Sequence, residues 1–270
     1  MGATQHNIHM LVGILPLLAS MILAVSGDPS TLDLRSHDRL LAQFHRIALS
    51  DAELAWSKHA RNAPTPNALL LASTAEYLAA IDKQQFLPVL MARHETWIAP
   101  HLFIPAFRHM GPGWIGEALQ SCQEDACRNG VAVLIQSATA IENLPELNHL
   151  IATEEGNVWR GAVSACERID DASCWVAMEL SAPRRSLVEQ LAVRMARWKV
   201  HRDALPQLLA AATDVAAAAA QQPPGPERAQ MWNELDAFVR LANWTKLDLP
   251  RELLDAIHKL GAARPGVARQ

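Results

Sequence analysis

The chain has 270 residues, half of them hydrophobic and 19% charged, with a formal net charge of -4. That apolar fraction excludes a disordered chain, and the mild acidity removes the electrostatic footprint of a nucleic-acid binder. Twelve glycines and one tyrosine argue against an all-β sandwich or barrel.

No charged side chain precedes Asp28, and Met10 to Val25 is wholly apolar apart from Ser20. A membrane-spanning helix needs about 20 apolar residues, so this run is short, and Gly13 and Pro16 weaken it further as a helix. Ala24-Val25-Ser26 then supplies the small-x-small pattern read by signal peptidase. Residues 1–26 therefore read as a leader, removed during export to the periplasm or the outside, with an uncleaved membrane anchor as the alternative. The usual cationic start is missing, and no cysteine follows the run, which excludes a lipid-anchored leader.

Beyond Asp33 the pattern is helical. Leu40, Leu41, Phe44, Ile47 and Ala48 recur as one stripe of an amphipathic helix. Ser50 and Glu53 have capping-box spacing, and Thr65-Pro66 opens a helix running through Leu69–Ile81. Further helices are expected over 84–95, 114–128, 131–153 (interruptible at Pro145), 157–168, 173–181, 184–199, 202–221, 227–243 and 249–260. The strand-like run Val131–Ile135 lacks flanking turn residues and reads as buried helix. Short links such as Asn129-Gly130, Glu155-Gly156-Asn157 and Asp170-Asp171 make antiparallel hairpins of the helices. Gln221–Glu227 (QQPPGPE) is the clearest linker. It divides a helical body, 27–220, from a C-terminal helical hairpin and tail, 228–270.

Glu154-Glu155-Gly156-Asn157-Val158-Trp159, with Trp175 and Trp198 on successive helices, resembles the helix openings of tetratricopeptide-type proteins, many of them exported by bacteria. The resemblance covers about residues 114–220. Aligning Trp159 with the motif's Trp places Cys166 at its Tyr and Trp175 at its small Ala. It implies helical hairpins packed as an irregular superhelix. Trp56, Trp159, Trp175, Trp198 and Trp232 read as wedges between helices.

All four cysteines, Cys122, Cys127, Cys166 and Cys174, lie in one window behind the leader, which reads as two disulfides. Five helical residues rise about 7.5 Å, past the roughly 7 Å Cα limit of a bridge. Cys122–Cys127 therefore needs a helix break between its ends. That pair with Cys166–Cys174 is favoured, and the crossed pairings remain the alternative. The C-x4-C and C-x7-C spacings do not match the C-x2-C knuckles of zinc sites.

Chemistry concentrates in residues 93–114, RHETWIAPHLFIPAFRHMGPGW. His94, Trp97, His101, His109 and Trp114 are the candidate ligand-binding residues, in an aromatic-lined pocket with a histidine acid/base or metal ligand. The competing reading is a Pro-kinked structural turn. His94-Glu95 opens like H-E-x-x-H, but Ile98 occupies the second ligand position. No G-x-S-x-G elbow and no Gly-rich phosphate loop occurs. Arg194, Arg197, Lys199 and Arg202 form a basic helical face, read as solvated. The sequence-level expectation is an exported all-α interaction scaffold whose partner is another protein, with no cofactor, metal or nucleic acid. The alternative is an exported helical enzyme or small-ligand or metal binder using residues 93–114.

Overall fold

The computed structural model describes residues 34–262, and the leader lies outside them. Fifteen α-helices and no strand occur among the described residues, so the fold is all-α. They are α1 (Leu34–Arg46), α2 (Asp51–Ser57), α3 (Pro66–Ile81), α4 (Lys83–Met91), α5 (Glu95–Ile98), α6 (Ile104–His109), α7 (Trp114–Ser121), α8 (Asp125–Ala138), α9 (Leu144–Thr153), α10 (Gly156–Ile169), α11 (Ala172–Ser181), α12 (Leu187–Val200), α13 (Leu205–Gln221), α14 (Pro226–Thr245) and α15 (Arg251–Ala262).

Local chemistry sets many of these ends. The Ser50 hydroxyl accepts the Glu53 amide at 3.3 Å while the Ser50 amide donates to Glu53 Oε2 at 2.9 Å, closing the capping box of α2. Thr65 caps α3 through Ala68, with Pro66 in the first turn, where its missing N–H leaves nothing unsatisfied. Ser186 and Glu189 repeat the box at α12. Asp170 and Lys246 end α10 and α14 in the left-handed conformation.

The larger buried cluster runs from Phe44 through Ala196, with α8, α9 and α10 at its centre. A second cluster joins Leu191, Met195 and Trp198 of α12 to α13, α14 and α15. Arg93 secures the first turn-back. Its guanidinium donates to the Phe44 carbonyl at 2.6 Å and the Ile47 carbonyl at 2.5 Å, and also pairs with Glu95. Arg185 plays the same part for α9, donating to the Ile151 and Glu154 carbonyls beneath the Trp159 ring.

The expected helix over 114–128 is two helices. α7 stops at Ser121 and α8 starts at Asp125, so the break falls between Cys122 and Cys127. Asn129-Gly130, expected as a link, lies inside α8. The physical reason is close packing. A β-carbon on Gly130 would lie 2.3 Å from the Trp97 carbonyl oxygen, so glycine lets α5 approach α8 here. Gly161 does the same on α10, where a β-carbon would meet the Ala132 carbonyl oxygen at 2.6 Å. Val131–Ile135 is helix, mostly buried, with Val131, Leu134 and Ile135 at 0% exposure and Val133 open at 38%. Trp159, Trp175 and Trp198 are buried wedges, whereas Trp56 is 54% exposed and reaches back to bond the Ala63 carbonyl at 2.9 Å.

Candidate functional site

The residues singled out between 93 and 114 do not converge. His94 is exposed at the edge of α5, its Nδ1 3.5 Å from Glu95 Oε2. Burial is the largest single influence on Glu95 and disfavours its ionisation, but the Arg93 hydrogen bond, a backbone hydrogen bond and the Arg93 charge together hold the carboxyl below its ordinary range. His101 follows Pro100 in a 3-10 turn. Burial, and then the nearby His59, push its pKa below the ordinary histidine value of 6.5. His109 ends α6 with its Nε2 4.0 Å from Glu76 on α3. Trp114 is 1% exposed and its ring packs at a tilt against Phe107, centroids 4.8 Å apart, inside the core. Among the described residues no group of three or more His, Cys, Asp or Glu side chains is placed to hold a metal ion.

His94 and Trp97 do share a surface. They line an open groove of about 750 Å³ with Ile98, Pro100, Cys127 and Val133. One wall is the outward stripe of α8, Ala126, Asn129 and Val133, at helical spacing, with buried Gly130 at its base. The floor is the α5–α8 contact that Gly130 permits. Lys58 and His94 also line the groove, as do Gln123 and Glu124 on the α7–α8 turn. An apolar floor with a few polar edge groups is the usual make-up of a binding site. The outer face of α11 adds an exposed apolar pair, Val176 at 57% and Leu180 at 76%.

The two disulfides are Cys122–Cys127 and Cys166–Cys174, with Cα separations of 5.4 and 5.7 Å. Cys122 leaves α7 in extended backbone, which supplies the break its bridge requires. The second bridge closes the α10–α11 turn. There Asp170, at φ 55°, accepts from Trp175 Nε1 at 3.0 Å and meets His201 Nε2 at 3.0 Å. Trp175 and His201 rings also meet edge to face at 5.6 Å. Both sulfurs of this pair are at 0% exposure, whereas Cys127 is only partly buried and lines the groove.

The basic face of α12 is largely neutralised. Glu179 takes both Arg194 and Arg197, Lys199 pairs with Glu167 at 3.0 Å, and Arg202 lies over the Trp198 ring at 4.3 Å. The hydrogen bond from Arg194 leads the groups that hold the Glu179 carboxyl below its ordinary range. A smaller cleft of about 330 Å³ lies between α10, α12 and α14, spanned by the Arg160–Glu234 ion pair at 3.0 Å.

The groove residues missed by the sequence reading include Lys58, Gln123, Asn129 and Val133. Only the period of Ala126, Asn129 and Val133 hinted at a shared face, and the glycine beside Asn129 obscured it. Among the described residues no helix is long and apolar enough to cross a membrane. Comparison with known proteins finds no matching family model, no matching curated protein and no matching solved structure.

Proposed function

We propose that the protein is an exported, all-helical interaction scaffold, and that the groove along α8 receives a segment of a partner polypeptide. The observation that carries this reading is the groove itself. It is open, about 750 Å³ in volume, floored by Trp97, Ile98 and Pro100, and walled by one face of a helix left uncovered by the described residues along Ala126, Asn129 and Val133. Aromatic and aliphatic anchors inside a polar rim are where binding energy concentrates in protein interfaces. The exposed Val176 and Leu180 give the same protein a second apolar surface. Export is supported by the apolar, charge-free leader and by four cysteines held as two bridges. The TPR-like superhelix belongs with this reading as an architectural suggestion from the Glu154–Trp159 opening.

Selection of displayed peptides against the oxidised chain tests the reading. Peptides enriched on the native chain lose at least about tenfold in affinity on Val133→Arg, which puts a charge in the groove without touching the core. Enrichment indifferent to Val133→Arg, with unchanged far-ultraviolet circular dichroism, contradicts it. Export has its own check: mass spectrometry of protein from the native source finds Gly27 at the N-terminus, and an intact Met1 contradicts the leader.

A further inference from the structure

The two bridges differ in access, and we infer that Cys122–Cys127 is an exchangeable disulfide through which the groove oxidises a thiol-bearing polypeptide. Thiol–disulfide exchange needs an incoming thiolate to reach one sulfur of the bridge. Cys127 is partly exposed and lines the groove, while Cys122 is 1% exposed. Attack is thereby directed at Cys127. The leaving sulfur is Cys122, and its thiolate stays inside the fold.

The surroundings favour Cys127 in the role of the reversible partner. It occupies the third position of α8, a 14-residue helix whose N-cap, Glu124, makes no side-chain cap hydrogen bond. First-turn amides left without a side-chain cap stabilise a thiolate held against them and lower its pKa. Lys58 lines the same groove and adds positive charge, while Glu124 and Asp125 oppose it. A thiolate stabilised in this way leaves a mixed disulfide faster. Cys166 and Cys174 have no such opening, and their bridge is sealed in the core.

The chemistry balances in two steps. A partner thiol, as thiolate, attacks Cys127 Sγ. The Cys122–Cys127 bond breaks, a mixed disulfide forms, and Cys122 takes up the proton the partner lost. A second partner thiolate then attacks the partner's sulfur of the mixed disulfide. Cys127 departs as thiolate, and the partner holds a new disulfide. The partner loses two electrons and two protons, and the bridge gains them. A low-molecular-weight disulfide, such as glutathione disulfide, restores the bridge by the reverse exchange. The peptide part of this inference rests on the groove reading above; the exchange at Cys127 does not.

The test mixes the oxidised full-length chain with a reduced peptide bearing two cysteines, then alkylates and maps thiols. The expected result is up to one equivalent of oxidised peptide per chain, with Cys122 and Cys127 alkylated and Cys166 and Cys174 untouched. No oxidised peptide, or release of all four thiols together, overturns the inference. Two variants locate the attack. Cys122→Ser, with Cys127 free, forms an adduct with glutathione disulfide at least about tenfold faster than Cys127→Ser, with Cys122 free. Equal rates, or a faster adduct on Cys122, overturn it. The wild-type arm keeps the result readable if either variant folds poorly. Val133→Arg separates the two readings: it slows the peptide reaction and leaves the glutathione reaction unchanged. Exchange that persists at the same rate with peptide on Val133→Arg removes the groove's part and leaves Cys127 exchange standing. Peptide selection that succeeds on a chain showing no exchange removes the inference and leaves the groove.

Discussion

The Cys166–Cys174 turn and the Cys122–Cys127 turn each join two consecutive helices by a short bridged loop, yet they live in different surroundings. Around the first, Asp170 gathers Trp175 and His201, both sulfurs are at 0% exposure, and the Trp175 side is part of the main core. Around the second, Cys122 is 1% exposed, and Cys127, partly exposed, is a residue lining an open groove. The contrast shows that a bridge's loop length does not set its role. Loop-closure entropy assigns both short loops roughly 2–3 kcal/mol. Burial and neighbouring helix ends make one a fastener and leave the other accessible to a thiol.

Removing each bridge breaks the comparison most strongly. Cys166→Ser with Cys174→Ser forfeits the loop entropy and also places two hydroxyls in a dry site, about 1–3 kcal/mol apiece when unsatisfied. A loss of about 4–9 kcal/mol is expected in urea unfolding, against about 3–6 for Cys122→Ser with Cys127→Ser, where only the Cys122 position is dry. Equal losses would erase the distinction. The next largest effect comes from glycine. Gly130→Ala forces Trp97 away from α8, because its β-carbon would meet the Trp97 carbonyl oxygen at 2.3 Å. About 2–3 kcal/mol of destabilisation is expected, with a groove whose peptide affinity changes. A neutral Gly130→Ala would mean that the α5–α8 contact is looser than described.

A smaller effect tests the sealed turn. Asp170→Ala loses the acceptor shared by Trp175 and His201 and keeps a β-carbon at φ 55°. It costs about 1–2 kcal/mol. Asp170→Gly loses the same acceptor but relieves the backbone, so it is the milder change of the two by thermal unfolding. The reverse order would show that side-chain size, not backbone conformation, governs the site.

The smallest effects are in acid. His101 titrates below its unfolded value of 6.5, because burial and His59 disfavour its charge. A depressed folded pKa contributes stability above the unfolded pKa, and that stability is lost as pH falls through the folded value. The urea midpoint therefore starts to fall below about pH 6.5, and His101→Gln flattens that part of the curve. On the other side, the lowered carboxyl of Glu179 has the same sign but acts later, below its ordinary 4.5. Glu179→Gln flattens only that lower limb. A midpoint steady from pH 7 to 5 in the unmodified chain would remove the His101 contribution.

Much of the fold was legible because local chemistry fixed it. The Ser50–Glu53 box, the Thr65-Pro66 opening and the stripe through Phe44 each act within a turn or two of helix. The disulfide connectivity favoured from the sequence, Cys122–Cys127 with Cys166–Cys174, is the pairing found, and helix rise correctly required the break between Cys122 and Cys127. Asn129-Gly130 misled because glycine in a helix ordinarily weakens it. Its reason here, the Trp97 backbone, lies 33 residues away in sequence. The site was legible in part. His94 and Trp97 do line the groove, but His101, His109 and Trp114 do not: His109 lies 4.0 Å from Glu76 and Trp114 packs on Phe107. Lys58 and Val133 come from segments joined only by tertiary packing, which no local pattern records.

The most direct measurement is native-state thiol mapping across a graded series of dithiothreitol concentrations, with alkylation and mass spectrometry at each step. The account predicts that Cys122 and Cys127 become alkylated while the chain is still folded, and that Cys166 and Cys174 appear only with global unfolding. Simultaneous appearance of all four, or earlier loss of the Cys166–Cys174 bridge, would contradict it.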